Sequence, residues 1–314
     1  MRLYSLTAAA KINLYLEIVG HRADGYHELV MVMQSVSLAD LITVRSLSTP
    51  EVRLRCDHSQ VPKDQTNLAY RAASLLASQF PDVMAHHGGV EITIEKKIPV
   101  GAGLAGGSNN AAAVLVGLDM LWQLGLTQTE LQDLGAQLGS DVPFCITGGT
   151  AIATGRGEQL DPLYGLDTLY AVLGKYASLS VSTPWAYRAY RDAFSATYPD
   201  LAIARPARRE AVQSGPMVSA IAHRDGPQIG RCLHNDLEKV VLPAYPQVAA
   251  LKESMAACGG LGTLMSGSGP TVFTLAESRA EAEQICQQVR DRLPDPDLGL
   301  WVTQFVPTGL QLVS

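Results

Sequence analysis

Residues 99–121 read PVGAGLAGGSNNAAAVLVGLDML, and this stretch decides how the rest of the chain is read. A proline opens it, glycines stand at Gly101, Gly103, Gly106 and Gly107, and a helix follows. The helix is legible in Ala111, Leu115, Leu118 and Trp122, spaced by four, three and four. Closely spaced glycines allow left-handed turns and keep side chains out of the way. Amide hydrogens can then converge at a helix N-terminus, where unpaired donors and the positive dipole end favour an anion. The stretch therefore reads as a phosphate cradle, with a glycine-rich turn packed against a sheet as the structural alternative. A nucleotidase P-loop is excluded, because no lysine follows the second glycine. Gly101, Gly103 and Gly106 match G-x-G-x-x-G literally, but the second strand ending in an acidic residue that a dinucleotide fold requires is missing. Thr127 to Glu130 instead reads as a capping box opening another helix, with Leu131, Leu134 and Leu138 on one face.

The elements on either side set this loop in an α+β chain. In KINLYLEIV (11–19), Ile12, Leu14, Leu16 and Ile18 alternate with Lys11, Asn13, Tyr15 and Glu17, which predicts a half-buried strand with the two sets on opposite faces. Asp24-Gly25 marks a turn that puts Tyr26 and His27 on a loop, either packed back or exposed to a ligand. Strand-like runs follow at 29–36, 41–44 and 52–56. Asn67 reads as the N-cap of a helix through Leu68, Leu75 and Leu76, and Val90, Ile92 and Ile94 form the strand that feeds the glycine loop. Asp141, held between the helix-stopping Gly139 and Pro143, either caps a short turn or holds a carboxylate near the loop. A strand is expected at 151–154 and a domain boundary around 155–165, giving 1–155 and 156–314.

In the second part, 169–173 and 179–181 look strand-like. Thr183-Pro184 opens a helix bearing Trp185, Tyr187 and Tyr190, and 202–227 reads as a long polar connection. Helices at about 228–242 and 246–258 follow, the latter stopped by Gly259-Gly260. Two strands joined by Ser266-Gly-Ser-Gly-Pro270 then form either a routine hairpin or a second loop able to approach a phosphate. A helix near 279–293 and a strand at 300–306 complete an antiparallel sheet with helices on one face.

Composition narrows the function classes. The 314 residues are 47% hydrophobic and 17% charged, with net charge -6, which fits a globular protein with ample core. The acidic balance and the short, proline-interrupted basic run at Arg205–Arg209 argue against nucleic acid as a partner. No run of apolar residues is long enough to span a membrane, and no leader or transit pattern opens the chain. Five scattered cysteines without a C-x-x-C pair suggest reduced thiols and a cytoplasmic protein, not a zinc site.

Three separated blocks, KINLYLEIVGHRADGYHEL, PVGAGLAGGSNNAAAVL with GSDVPF, and LMSGSGPTVF, together resemble the three motifs of the GHMP kinase family, named for galactokinase and the homoserine, mevalonate and phosphomevalonate kinases. The resemblance implies an N-terminal mixed α/β ATP-binding domain and a C-terminal ferredoxin-like domain, with substrate in the cleft between them. The A-K-I-N-L start, the D-G-Y-H turn and the third block resemble the branch whose acceptor is a small molecule carrying a cytidine diphosphate group. For that branch the implied reaction is ATP-dependent phosphorylation of the 2-hydroxyl of a cytidine-diphosphate-linked methylerythritol, a step of non-mevalonate isoprenoid synthesis. The alternatives are another small-molecule kinase of the family, of homoserine or diphosphomevalonate type, and a nucleotide-binding regulator without catalysis.

Matched position by position, the resemblance gives Asp141 as the catalytic carboxylate and Lys11 as its cationic partner, and Asn13, Tyr26, His27 and Tyr187 as acceptor contacts. Pro99, Val100, Gly101, Ala102, Gly103, Leu104, Ala105, Gly106, Gly107, Ser108 and Asn109 would hold ATP, with Asn67 and Lys97 near the adenine. Each role suits the chemistry: phosphoryl transfer is mainly positioning and charge stabilisation, a hydroxyl nucleophile needs a proton acceptor, and two rings can sandwich a cytosine. The family usually has serine where Asn109 stands and often glycine where Ala105 stands, which leaves Ser108 as the loop hydroxyl. Mg2+ is expected to accompany ATP, with no carboxylate cluster that announces its ligands.

Overall fold

A computed structural model describes residues 2–313; the side chains at 202, 203, 205 and 206 lie outside it, and so does the Arg205 end of the basic run. The first half runs β1 (Leu3–His21), β2 (His27–Ser46), β3 (Val52–Cys56), α1 (Leu68–Gln79), α2 (Val83–His87), β4 (Val90–Glu95), α3 (Gly106–Trp122), α4 (Gln128–Leu138), α5 (Val142–Thr147), β5 (Thr150–Gly155) and β6 (Gln159–Leu163). The second runs β7 (Tyr170–Tyr176), α6 (Thr183–Phe194), α7 (Leu201–Gln213), α8 (Pro216–Ala222), α9 (Gly226–Arg231), β8 (His234–Asn235), α10 (Glu238–Ala244), α11 (Pro246–Ala256), β9 (Gly262–Met265), β10 (Val272–Ala276), α12 (Arg279–Arg292), β11 (Leu298–Gln304) and β12 (Leu310–Leu312). Among the described residues no helix is long and apolar enough to cross a membrane.

The strands form two sheets. The first follows the order β12-β1-β2-β4-β3, with β5 and β6 continuing from the lower part of β2 and β8 pairing in parallel with β1. The second is β11-β7-β10-β9, antiparallel throughout. One face of the second sheet, including Val172 and Val272, packs on Val248, Leu251 and Met255 of α11 and Ile285 and Val289 of α12. Its other face, including Leu173, Phe273 and Leu275, packs on Ile12, Val30 and Val32 of the first sheet. The sheet with helices on one side, expected from the order of elements, is therefore present, and its other side closes against the first sheet.

Helix α3 is anchored as its spacing predicts: Ala111, Leu115 and Leu118 are fully buried and Trp122 nearly so. Burial of each large side chain contributes about 2 kcal/mol relative to exposure. Gly117 lets the helix lie close to the sheet, since a Cβ there would meet Val44 Cγ2 at 2.9 Å and Leu6 Cδ1 at 3.2 Å. The capping box of α4 forms in both directions between Thr127 and Glu130.

Several expectations need correction. The alternation through 12–18 does not place its four apolar residues on one face. Asn13 pairs with Met33 and Tyr15 with Val32, so Leu14 is an extra residue, a β-bulge. A bulge shifts the side-chain phase by one. Ile12 and Leu14 consequently pack toward the second sheet, while Leu16 and Ile18 share the opposite face with Met31 and Met33. The runs at 29–36 and 41–44 are a single strand, because the register shift between Ala9 and Ala10 absorbs the irregular residues between them. Residues 179–181 form no strand. They are the extended lead-in to α6, whose N-cap is Ser182, not Thr183; its hydroxyl accepts from the Trp185 amide.

The polar segment 202–227 is largely helical, in α7, α8 and the start of α9. Its larger apolar residues are correctly spaced, with Met217 and Ile221 four apart and buried. The helix expected over 228–242 is interrupted at β8, where Asn235 bonds across to the 266–270 loop instead of continuing a helix.

Candidate active site

Four elements converge on a cavity of about 970 Å3. The first is the glycine loop. Gly101, Gly103 and Ala105 take φ of 62°, 72° and 57°, so positive-φ residues alternate with negative-φ ones up to the start of α3. Such alternation turns successive N–H groups toward one side, as in an anion nest. Every residue from Pro99 to Ser108 lines the cavity. Asn109 does not: it lies in α3, 1% exposed, with its Nδ2 donating to the Leu104 carbonyl at 3.4 Å.

The loop is held from behind by a residue the sequence did not single out. Asp40, fully buried on β2, accepts from the Lys97 amide at 2.7 Å, the Ile98 amide at 2.9 Å and Asn110 Nδ2 at 2.7 Å, and it is ion-paired to Lys96. These donors flank the loop on both sides, so one carboxylate fixes its entry and its exit. Lys96, not Lys97, lines the cavity; the Lys97 side chain is exposed and only its backbone takes part. Asn67 lines the cavity too, capping α1 by accepting from the Ala69 amide at 2.8 Å and donating to the Pro62 carbonyl at 2.7 Å.

The 266–270 loop lies against the first. A Cβ on Gly103 would stand 2.5 Å from the Ser266 carbonyl oxygen, so the two backbones can approach only at glycine. Ser266 Oγ donates to the Gly103 carbonyl at 3.2 Å. Asn235, from β8, donates from Nδ2 to the Met265 and Gly267 carbonyls at 2.7 and 2.8 Å and accepts from the Leu237 amide. Gly267 and Ser268 reach the cavity, and a Cβ on Gly267 would lie 3.2 Å from Asn13 Oδ1 and 3.5 Å from Lys11 Nζ.

Between the loops sits the charged pair. Lys11 Nζ is 3.6 Å from Asp141 Oδ2 and donates to Asn13 Oδ1 at 2.6 Å. Lys11 is buried, so a solvated strand face is excluded for it, whereas the Asp141 carboxylate is 31% exposed and open to the cavity. Asp141 precedes α5 but makes no side-chain cap bond to it. Its carboxylate thus does not cap the turn and faces Lys11 instead.

The fourth element is aromatic. Gly25, at φ 86°, turns the chain so that Tyr26 is 53% exposed at the cavity edge while His27 enters β2. The His27 ring lies 5.2 Å from that of Tyr187 on α6, tilted by 31°. Tyr26, His27 and Tyr187 all line the cavity, and His27 Nε2 is buried with no hydrogen-bond partner. Burial, reinforced by the charges of His21 and Arg191, pushes the His27 pKa down to about 4, so the ring is neutral at pH 7. Burial with the nearby Asp141 charge raises the Tyr187 phenol above its ordinary range.

The depressed His27 pKa carries a stability consequence. Between the ordinary value of 6.5 and about 4, the unfolded chain binds a proton that the fold does not. The stabilisation due to His27 is therefore complete above pH 6.5 and is lost as pH falls toward 4. His27→Gln should flatten this part of the curve of unfolding midpoint against pH. Superimposable curves for the two proteins would contradict it.

Comparison with known proteins agrees with this architecture. Residues 67–149 match the family model for the GHMP kinases N terminal domain, and residues 217–295 match that for GHMP kinases C terminal. A relative from Gloeothece citriformis, named 4-diphosphocytidyl-2-C-methyl-D-erythritol kinase, is 61% identical over 312 residues, covering 99% of this chain and 99% of its own. One of the same name from Nostoc punctiforme is 62% identical over 315 residues, covering 100% and 99%. A crystal structure of 4-(cytidine 5'-diphospho)-2C-methyl-D-erythritol kinase is similar at a TM-score of 0.73 and 34% identity, covering 96% of this chain and 98% of that one. Homoserine kinase from Cytophaga hutchinsonii, at a TM-score of 0.75 and 20% identity over 100% and 98% of the two chains, shares the fold. With both family models matched and full-length relatives near 60% identity, the chain belongs to the GHMP kinases.

Proposed function

We propose that this chain transfers the γ-phosphoryl group of ATP to the 2-hydroxyl of 4-diphosphocytidyl-2-C-methyl-D-erythritol, as in non-mevalonate isoprenoid synthesis. The observation that carries the reading is that two glycine loops, the Lys11–Asp141 pair and the Tyr26–His27–Tyr187 aromatics line one cavity, in a chain whose full-length relatives bear that enzyme's name. The five cysteines, all unpaired, suit a reducing cytoplasm.

In this reading the amides of 101–108 and the N-terminus of α3 hold the ATP phosphates, and Asn67 contributes to the adenine side. The acceptor hydroxyl attacks the γ-phosphorus, its proton passes to Asp141, and the bond to the β-phosphate oxygen breaks to release ADP. Lys11, fixed by Asn13, offsets charge on the transferring group. Mg2+ would travel with the nucleotide, neutralising phosphate charge. Among the described residues no trio of His, Cys, Asp or Glu side chains converges to hold a metal. That fits a magnesium site built mainly from phosphate and water, with the Ser108 hydroxyl and Asp141 among the lining groups placed to contribute. We divide the labour at residue 155: the first part supplies the ATP cradle and Asp141, and the second supplies α6 and the 266–270 loop.

Tyr26 and Tyr187 would enclose the cytosine, with His27 Nε2 available to its polar edge. Loss of one stacking ring costs about 1–3 kcal/mol, so Tyr26→Ala and Tyr187→Ala should each raise the acceptor KM by roughly tenfold or more and leave that of ATP unchanged. An unaltered acceptor KM in both variants would reject the stacking role. The reading as a whole is tested by coupled ADP release with the cytidine-diphosphate acceptor, with homoserine and with no acceptor. ADP release that depends on the first alone is expected; turnover of homoserine or none at all would overturn it.

A further inference from the structure

The aromatic end of the cavity holds more positive charge than the phosphoryl-transfer chemistry uses. Lys11 faces Asp141 and Lys96 is bound to Asp40, so both lining lysines are matched. Three arginines also line the cavity, Arg156, Arg188 and Arg191, while Asp141 is the one acidic side chain among the described lining residues. Two of them lie close to the aromatics, Arg156 to Tyr26 and Arg191 to His27. The Arg156 guanidinium lies 4.9 Å from the centroid of the Tyr26 ring, its nearest carboxylate being Glu158 at 4.0 Å. Arg188 directly follows Tyr187 on α6 and makes no ion pair among the described residues. Arg191 is one helical turn beyond Tyr187 on the same face, close enough for its charge to act on His27. Its partner Asp192, at 3.5 Å, is 68% exposed, so water weakens the pair.

We propose that Arg156, Arg188 and Arg191 form a second anion site, which binds the diphosphate of the nucleoside diphosphate-linked acceptor. The inference rests on the proposed function, since it assigns a subsite to that acceptor. A guanidinium presents paired donors in a plane that matches two phosphate oxygens. Arg156 is already placed by its contact with Tyr26 and needs little ordering to engage. The cavity then separates its two polyphosphates by chemistry: backbone amides take the triphosphate at one end, and guanidinium groups take the diphosphate at the other. Three guanidinium groups lining the cavity also draw a charged acceptor inward.

The test uses cytidine 5'-diphosphate and cytidine as competitors against the acceptor, in the wild type and in Arg156→Gln, Arg188→Gln, Arg191→Gln and the triple variant. Wild type should bind the diphosphate more tightly than the nucleoside. Each charge-assisted contact removed should weaken diphosphate binding by roughly tenfold, with cytidine binding and the KM of ATP unchanged. Equal wild-type affinity for the two competitors, parallel losses for both, or a rise in the KM of ATP in place of the diphosphate effect would each overturn the proposal. Direct calorimetric titration of the two competitors keeps the question separate from turnover. A chain that binds the diphosphate through these arginines yet phosphorylates no cytidine-linked acceptor would refute the proposed function and leave the anion site standing.

Discussion

Asp141→Asn is expected to lower turnover by at least about a hundredfold while ATP still binds, the range found when a general base is removed. Asparagine has nearly the same volume as aspartate but no basic oxygen. The substitution also disturbs little around it, because the Asp141 side chain does not cap α5 and is partly exposed to the cavity. What changes is the proton acceptor and the anion facing Lys11 at 3.6 Å. Steady-state ADP release gives the turnover, and equilibrium titration with ATP or a non-hydrolysable analogue gives the binding. Near-normal turnover would remove Asp141 from the chemistry. Loss of ATP binding in parallel with turnover would instead make it a structural support of the cradle.

The second large effect is expected far from any reacting atom. Asp40→Ala removes a fully buried carboxylate and leaves Lys96 without its anion and the amides of Lys97 and Ile98 without their acceptor. Breaking a buried pair on one side costs about 3–5 kcal/mol. Because those amides lead into the glycine loop, the variant should also raise the KM of ATP. Asp40→Asn keeps an acceptor oxygen for the amides but removes the charge opposite Lys96, and should fall between wild type and alanine. Denaturation midpoints measured beside ATP kinetics test both parts. An alanine variant of unchanged stability would mean that Lys96 and the amides find other partners.

Much of this protein was legible along the chain where chemistry is local. The turn at Asp24-Gly25, the caps at Asn67 and Thr127, the glycine loop and the helix it opens are each specified by neighbouring residues, and the fold keeps all of them. What escaped is set by distant pairing. The bulge at Leu14 exists because β2 imposes its spacing on β1, and nothing in KINLYLEIV alone marks the extra residue. Asp40 stands in a run of otherwise ordinary strand residues, 56 positions before Lys96 and 70 before Asn110. Asn235 is likewise 30 residues from the first carbonyl it holds. The 202–227 segment reads as a connection because prolines and charged residues interrupt it, yet a few well-spaced side chains suffice once a core is there to receive them. Arg156 and Arg188 are brought into one site only when the two halves of the chain meet at the cavity. Only Arg191, four residues beyond Tyr187 on α6, had a signal along the chain in its spacing.

The pairing of β12 with β1 reaches beyond the finished molecule. Leu6, Thr7 and Ala8 pair with Leu312, Gln311 and Leu310, and Tyr15 and Leu16 pair with His234 and Asn235. On a ribosome, β1 would find β2 at once, but its other edge would stay open until more than two hundred further residues had been made. An uncovered strand edge invites pairing with a second nascent chain. Synthesis of this kinase thus includes a long interval in which one edge of β1 is sticky, until β8 and then β12 follow to cover it.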